Sequence, residues 1–180
     1  PNVAGRPMGP YARVTHGLPP PTIGIHESIR LAKLAEPILR KSLEHKDVPL
    51  PSVRLGPNVH EMGFTFMQRV GLRSGGFVVL GLGARKAKRQ PSVRQILAWA
   101  VYLGERGYQC VLSYTPGQAI DPGYPSDEAL AREILSKNSE IIPLCGPIQE
   151  AVAVTFQAAF SVIPDSGLMH VAAASPGGVI

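Results

Sequence analysis

Between Phe77 and Ile180 the hydrophobic period switches repeatedly between that of a strand and that of a helix, and this alternation constrains the fold more than any other property of the chain. The apolar runs F-V-V-L-G-L (77–82), C-V-L-S-Y (110–114), E-I-I-P-L (140–144), A-F-S-V-I (159–163) and G-G-V-I (177–180) are too short for helices and rich in β-formers. Between them lie stretches with one apolar face at helical spacing. Val93, Ile96, Leu97, Ala100 and Leu103 form one such face, and Ile148, Val152, Thr155, Phe156 and Ala159 another. Five strands alternating with four helices predict an α/β domain, a Rossmann-like parallel sheet with helices on both faces.

The residues before this domain read differently. P-N-V-A-G-R-P-M-G-P and G-L-P-P-P forbid a continuous helix or central strand, so residues 1–24 read as an arm or linker. From Ile25 to about Lys46 the spacing predicts one kinked or two short helices, with Pro37 at the break. The division is therefore a mostly helical or irregular arm over 1–50 and a Rossmann-like domain over 51–180, opened by a helix from Pro57 to Val70 that Gly71 stops. The chain starts at Pro1 without a Met and stops in G-G-V-I, so the natural protein is expected to continue, and the domain to be truncated at its carboxyl end.

In an open α/β sheet, ligands collect outside the carboxyl ends of the strands, where helix N-termini offer unpaired N–H groups and positive potential to anions. Two strand-to-helix passages carry the unusual residues. In G-L-G-A-R-K-A-K-R-Q-P (81–91), Arg85, Lys86, Lys88 and Arg89 fall within five residues, with Arg94 a turn into the next helix, which Ser92 can cap. In P-D-S-G-L-M-H (164–170), Asp165 and Ser166 can cap a helix, and Gly167, at a strained turn, lets another molecule approach the backbone. His170 lies one turn after Ser166 on the same face, able either to reach a diphosphate or to pack below the cap. Ser126, Asp127 and Glu128 open the third helix as the macrodipole favours. The pattern suits a phosphorylated ligand met by at least one of these five basic residues, although any single one of them is better explained as part of a solvated loop.

Other chemistries fit less well. Gly81 and Gly83 begin a G-x-G-x-x-G, but Lys86 ends the match and the helix starts several residues too late. Ser166 stands outside a G-x-S-x-G, which argues against a serine nucleophile. His16, His26, His45 and His60 are scattered through and just after the arm and read as surface residues, not metal ligands. The net charge of +5 would suit nucleic acid, but aromatics make up only 6% and no recognition motif is present, so no nucleic-acid partner is expected. Cys110 and Cys145 read as buried thiols of a reducing compartment. No run has the length of a transmembrane helix, so a soluble or at most peripheral protein is expected; with thiols of a reducing compartment, the expected place is the cytoplasm, with peripheral association at the inner membrane.

The succession of A-x-x-x-K-x-x-P after the first strand, G-x-x-x-E before an amphipathic helix, and D-S-G-L-M-H-x-A-A-A near the end resembles the carboxyl-terminal domain of glycosyltransferase family 9, the lipopolysaccharide heptosyltransferases. The resemblance runs from about Pro51 to Ile180, and H-E-S-I-R-L resembles the end of that family's amino-terminal domain. It implies the second half of a GT-B fold that holds a nucleotide-sugar donor, ADP-heptose-like, for transfer to a glycolipid or glycan acceptor of the lipopolysaccharide-core type. The donor residues it implies are Ala84, Lys88, Pro147, Ile148, Asp165, Ser166, Gly167 and His170. It implies no cofactor and no metal, and a catalytic base supplied by a carboxylate of the amino-terminal domain. Ala84 stands where the family often has a hydroxyl residue, Gln90 where Trp is common, and 115–125 lacks the family's Gly-rich turn and ribose-contacting acid. Rival readings are a catalytically silent GT-B-like subunit or scaffold, and a UDP-sugar epimerase-like enzyme.

Overall fold

A computed structural model of the protein describes residues 4–5, 16–17, 27–48, 52–84, 87–117 and 127–180. The chain divides into two compact units, Pro1–Pro51 and Ser52–Ile180. In the first, strands β1 (Ala4–Gly5) and β2 (His16–Gly17) pair in parallel, and two short helices follow, α1 (Glu27–Ala32) and α2 (Glu36–Leu39). The predicted break falls at residues 33–35. Pro37 instead sits in the first turn of α2, where its missing N–H removes no helical bond. The Glu36 carboxylate accepts from the Leu43 N–H at 2.7 Å and folds the following chain back onto α2.

The second unit opens with α3 (Pro57–Val70), which starts at a proline in its first turn and ends at Gly71 in the left-handed region, φ 73°. There follow β3 (Phe77–Gly81), α4 (Val93–Gly104), β4 (Gln109–Ser113), α5 (Glu128–Lys137), β5 (Ile142–Leu144), α6 (Ile148–Thr155), β6 (Phe160–Val162) and α7 (Gly167–Ala173). The sheet is parallel throughout, with order β5-β4-β3-β6. Four strands form where five are predicted. The G-G-V-I segment contributes a single parallel bridge, Val179 to Ser161, after the left-handed Gly178.

Helices cover both faces of the sheet. Phe77 and Val79 pack with α3, α6 and α7 residues such as Phe66, Val154 and Ala172, while Val78, Leu80 and Leu82 pack with Ile96 and Leu103 of α4 and Ile134 of α5. All five residues of β3 are buried, as expected of a strand covered on both sides. Cys110 is buried, but Cys145 is exposed: it lies just past the end of β5, outside the core. Burial pushes the Cys110 thiol up to about 11, so it stays protonated. Among the described residues, no helix is long and apolar enough to cross a membrane.

Candidate functional site

The chain proceeds from β3 outward to β4 and β5, then returns to place β6 on the other side of β3. The reversal makes the gap between β3 and β6 a topological switch point, where segments leaving neighbouring strands diverge and open a crevice at the carboxyl edge. The two segments that diverge there are the basic passage after β3 and the P-D-S-G passage after β6. Glycine at 81 lets the strand ends close up, since a methyl group there would lie 2.9 Å from Ile163 Cγ2.

On the β3 side, the Leu82 N–H donates to the Ser113 carbonyl at 3.0 Å, and Ala84 is buried. Arg85 and Lys86 lie outside the described residues. A single 3₁₀ turn, Ala87–Arg89, then presents Lys88 and Arg89 to solvent. Ser92 caps α4 as predicted and forms a full capping box: its Oγ accepts from the Gln95 N–H at 3.3 Å, and Gln95 Oε1 accepts from the Ser92 N–H at 2.9 Å.

On the β6 side, Ser166 caps α7 by accepting from the Met169 N–H at 3.4 Å. Asp165, expected to share that role, does not cap. Its carboxylate pairs with the Arg89 guanidinium, an ion pair between residues 76 apart in sequence that joins the two passages. Gly167 is exposed, its φ is not positive, and a Cβ there would meet nothing within 4 Å. The strain expected at this position is therefore absent, and what the glycine leaves is open space in front of the helix start. His170 is exposed on α7 and does not pack beneath the cap.

Pro147 and Ile148 begin α6 at the same carboxyl edge, both exposed, with Ile148 61% accessible. They follow β5, two strands from β3 in the sheet. Beside them Tyr114, past the end of β4, is pushed up to about 12, first by burial and then by its contact with Cys145. Glu128 is held below its ordinary value, chiefly by the Gly117 N–H and then by Arg132.

Asp127 plays a part that its position before a helix does not suggest. It occupies the N-cap position of α5 without capping it, and is only 4% exposed. Its Oδ1 accepts from Gln90 Nε2 at 2.6 Å and its Oδ2 from the Thr115 N–H at 3.3 Å. Burial raises its pKa above the ordinary range, against the lowering pull of Thr115 and then Gln90. Between the unfolded value, about 3.9, and the raised folded one, the folded state holds the extra proton, so Asp127 makes stability fall as pH rises through that window. Asp127→Asn is expected to remove this decline. Melting curves from about pH 4 upward should show variant-minus-parent Tm rising with pH and then levelling, and a difference independent of pH would contradict the assignment.

Sequence reasoning placed Lys88, Ser166 and Gly167 at the ends of strands that prove to be neighbours. It missed the turn of Asp127 toward Gln90, for which a lone aspartate before a helix carries no signal. Among the described residues, no group of three His, Cys, Asp or Glu could hold a metal ion.

Residues 76–179 match the model of glycosyltransferase family 9 (heptosyltransferase). Among solved structures, the fold is similar to a family 9 glycosyl transferase from Veillonella parvula DSM 2008, with a TM-score of 0.66 at 14% identity over 82% of this chain and 41% of that one. It is also similar to E. coli ADP-heptose lps heptosyltransferase II, with a TM-score of 0.58 at 21% identity over 84% of this chain and 52% of that one. E. coli heptosyltransferase WaaC, solved with ADP, has a TM-score of 0.55 at 16% identity over 94% of this chain and 47% of that one. At such identities the likeness is one of fold, the Rossmann-like α/β class. The chain spans about half the length of these proteins. No curated protein matches it significantly.

Proposed function

Because the chain belongs to glycosyltransferase family 9, as the match over residues 76–179 shows, we propose that its second unit is the donor half of a GT-B glycosyltransferase and holds a nucleoside-diphosphate sugar of the ADP-heptose type. The observation that carries this reading is the switch point between β3 and β6. There Lys88 and the open start of α7 at Gly167 lie on diverging segments that the Arg89–Asp165 pair joins. The acceptor is a glycan of the lipopolysaccharide-core type, and residues 1–50 are the end of the amino-terminal domain.

Each residue then has a chemical task. In transfer, the bond from the anomeric carbon to the diphosphate oxygen breaks and the leaving diphosphate takes the electron pair. Lys88, as a mobile point charge, and the N–H groups at the start of α7 meet that developing charge. Asp165, neutralised by Arg89, can sit beside the phosphates without repelling them. The exposed Ile148 and Pro147, past the end of β5 at the same sheet edge, offer an apolar wall for the base. His170 stands one turn beyond Gly167, within reach of the sugar-phosphate. The acceptor hydroxyl attacks the anomeric carbon and gives its proton to a carboxylate of the amino-terminal domain.

Titration with ADP, UDP and GDP by calorimetry tests the proposal. ADP should bind best, and Lys88→Ala should weaken it by about 1–3 kcal/mol, the loss of one hydrogen bond between charged groups. Lys86→Ala should do much less. Equal losses would mean that only bulk positive charge matters. Absence of all nucleotide binding would favour a silent scaffold, and preference for UDP an epimerase-like enzyme.

A further inference from the structure

The turn that carries Lys88 is anchored on its carboxyl side. Gln90, two residues on, donates to Asp127 at 2.6 Å, Pro91 is buried, and Ser92 is fixed in its capping box. Asp127 in turn is held by the Thr115 N–H at the end of β4 and stands beside β3's exit, where a methyl on Gly83 would be 3.6 Å from Oδ2. One buried carboxylate thus ties together the segment after β3, the segment after β4 and the start of α5. A carboxylate buried to this degree costs free energy that an apolar side chain would not. Nor does it repay that cost as a helix cap, since it makes no cap bond to α5.

We infer that Asp127 and Gln90 are positioning residues, a buried strut that holds the Ala87–Arg89 turn so that Lys88 faces the switch-point crevice and the anion bound there. The inference rests on the donor-site reading for the identity of that anion. It goes beyond that reading by assigning the placement of Lys88 to a side-chain pair that touches no ligand. At 2.6 Å this hydrogen bond is at the short end of the range, which fixes Gln90 closely against Asp127. Lys88 and Arg89 are both exposed, and Arg89 is tied in addition to Asp165 on the passage after β6.

The test is a double-mutant cycle on the purified protein with ADP as probe. Gln90→Met keeps the length of the side chain and removes its donor, and Gln90→Glu, which sets a second carboxylate against Asp127, serves as an independent second variant. Either should weaken ADP roughly tenfold in the parent background and hardly further in Lys88→Ala, because a displaced turn costs nothing once the ammonium is gone. Trypsin supplies a readout independent of ADP: at a temperature well below the Tm of every protein compared, cleavage after Lys88 and Arg89 should be several-fold faster in both variants. Equal losses of affinity with and without Lys88 would overturn the inference, as would loss confined to Lys88→Ala alone. If the parent binds no ADP, the donor reading falls, and the cleavage rates still decide the strut: faster cleavage upholds it and an unchanged rate overturns it.

Discussion

Gly167→Val is expected to abolish measurable ADP binding while the protein stays folded. The two halves of this expectation have separate physical grounds. The fold should survive because a Cβ at 167 meets nothing within 4 Å and the backbone there is not left-handed, so a β-branched side chain is neither crowded nor strained. The helix start also survives, since the cap belongs to Ser166. Binding should fail because the free space above Gly167 is where a diphosphate must lie to accept from the first N–H groups of α7. Two methyl groups there would displace it from at least two charge-assisted hydrogen bonds, worth about 1.5–3 kcal/mol each, which gives a loss of roughly 100-fold or more. Calorimetry with ADP, beside circular dichroism and melting curves, checks both halves. A variant that binds ADP within about threefold of the parent would return D-S-G to the status of a plain helix cap.

Gly63→Leu should produce the largest loss of stability, about 3 kcal/mol and a Tm lower by roughly 10 °C. Glycine in a helix interior ordinarily costs up to about 1 kcal/mol against alanine, so its presence in the middle of α3 asks for a reason. The reason is contact with α6: a Cβ at 63 would lie 3.0 Å from the Ala153 carbonyl oxygen and 3.2 Å from its Cβ. Backbone cannot swing aside as a side-chain end can. A leucine therefore has to push α3 off α6, opening the layer in which Phe66, Met67, Ala151 and Val154 are packed. Gly63→Ala should fall near zero, as its gain in helix propensity is offset by the tight contact. Urea denaturation of the pair decides the matter: a leucine variant as stable as the alanine one would show that the helices separate without cost.

Much of the architecture was legible in the residues themselves. The bounds of α3, the capping of α4 by Ser92 and of α7 by Ser166, the stop at Gly71 and the four named strands all depend on neighbours within three or four positions. Side-chain period and cap chemistry act at that range, so one sequence suffices to read them. The expectation for Asp165 failed for the same reason that the one for Ser166 succeeded. Both are sound local caps, and the choice between them was made by a guanidinium 76 residues earlier.

Of the candidate site, the sequence and its family resemblance supplied the residue types: lysine in a basic turn, a hydroxyl cap, a bare glycine, an apolar start to α6. Gln90 was visible only as a departure from the family, with nothing to say that it reaches Asp127. Cys145 looked like the end of a buried strand and lies just beyond it, in solvent, because β5 ends at Leu144 at the edge of the sheet.

The sequence by itself determined the alternation of strands and helices, most of their ends, and the chemical character of the two passages. Tertiary structure alone decided that β6 returns beside β3, that Arg89 thereby meets Asp165, that Asp127 turns inward to Gln90, and that Gly63 admits Ala153. The physical reason is that a buried parallel strand presents the same apolar run to either neighbour. Strand order is settled only when whole helices compete to cover the two faces, and that competition is decided by contacts far apart in the chain.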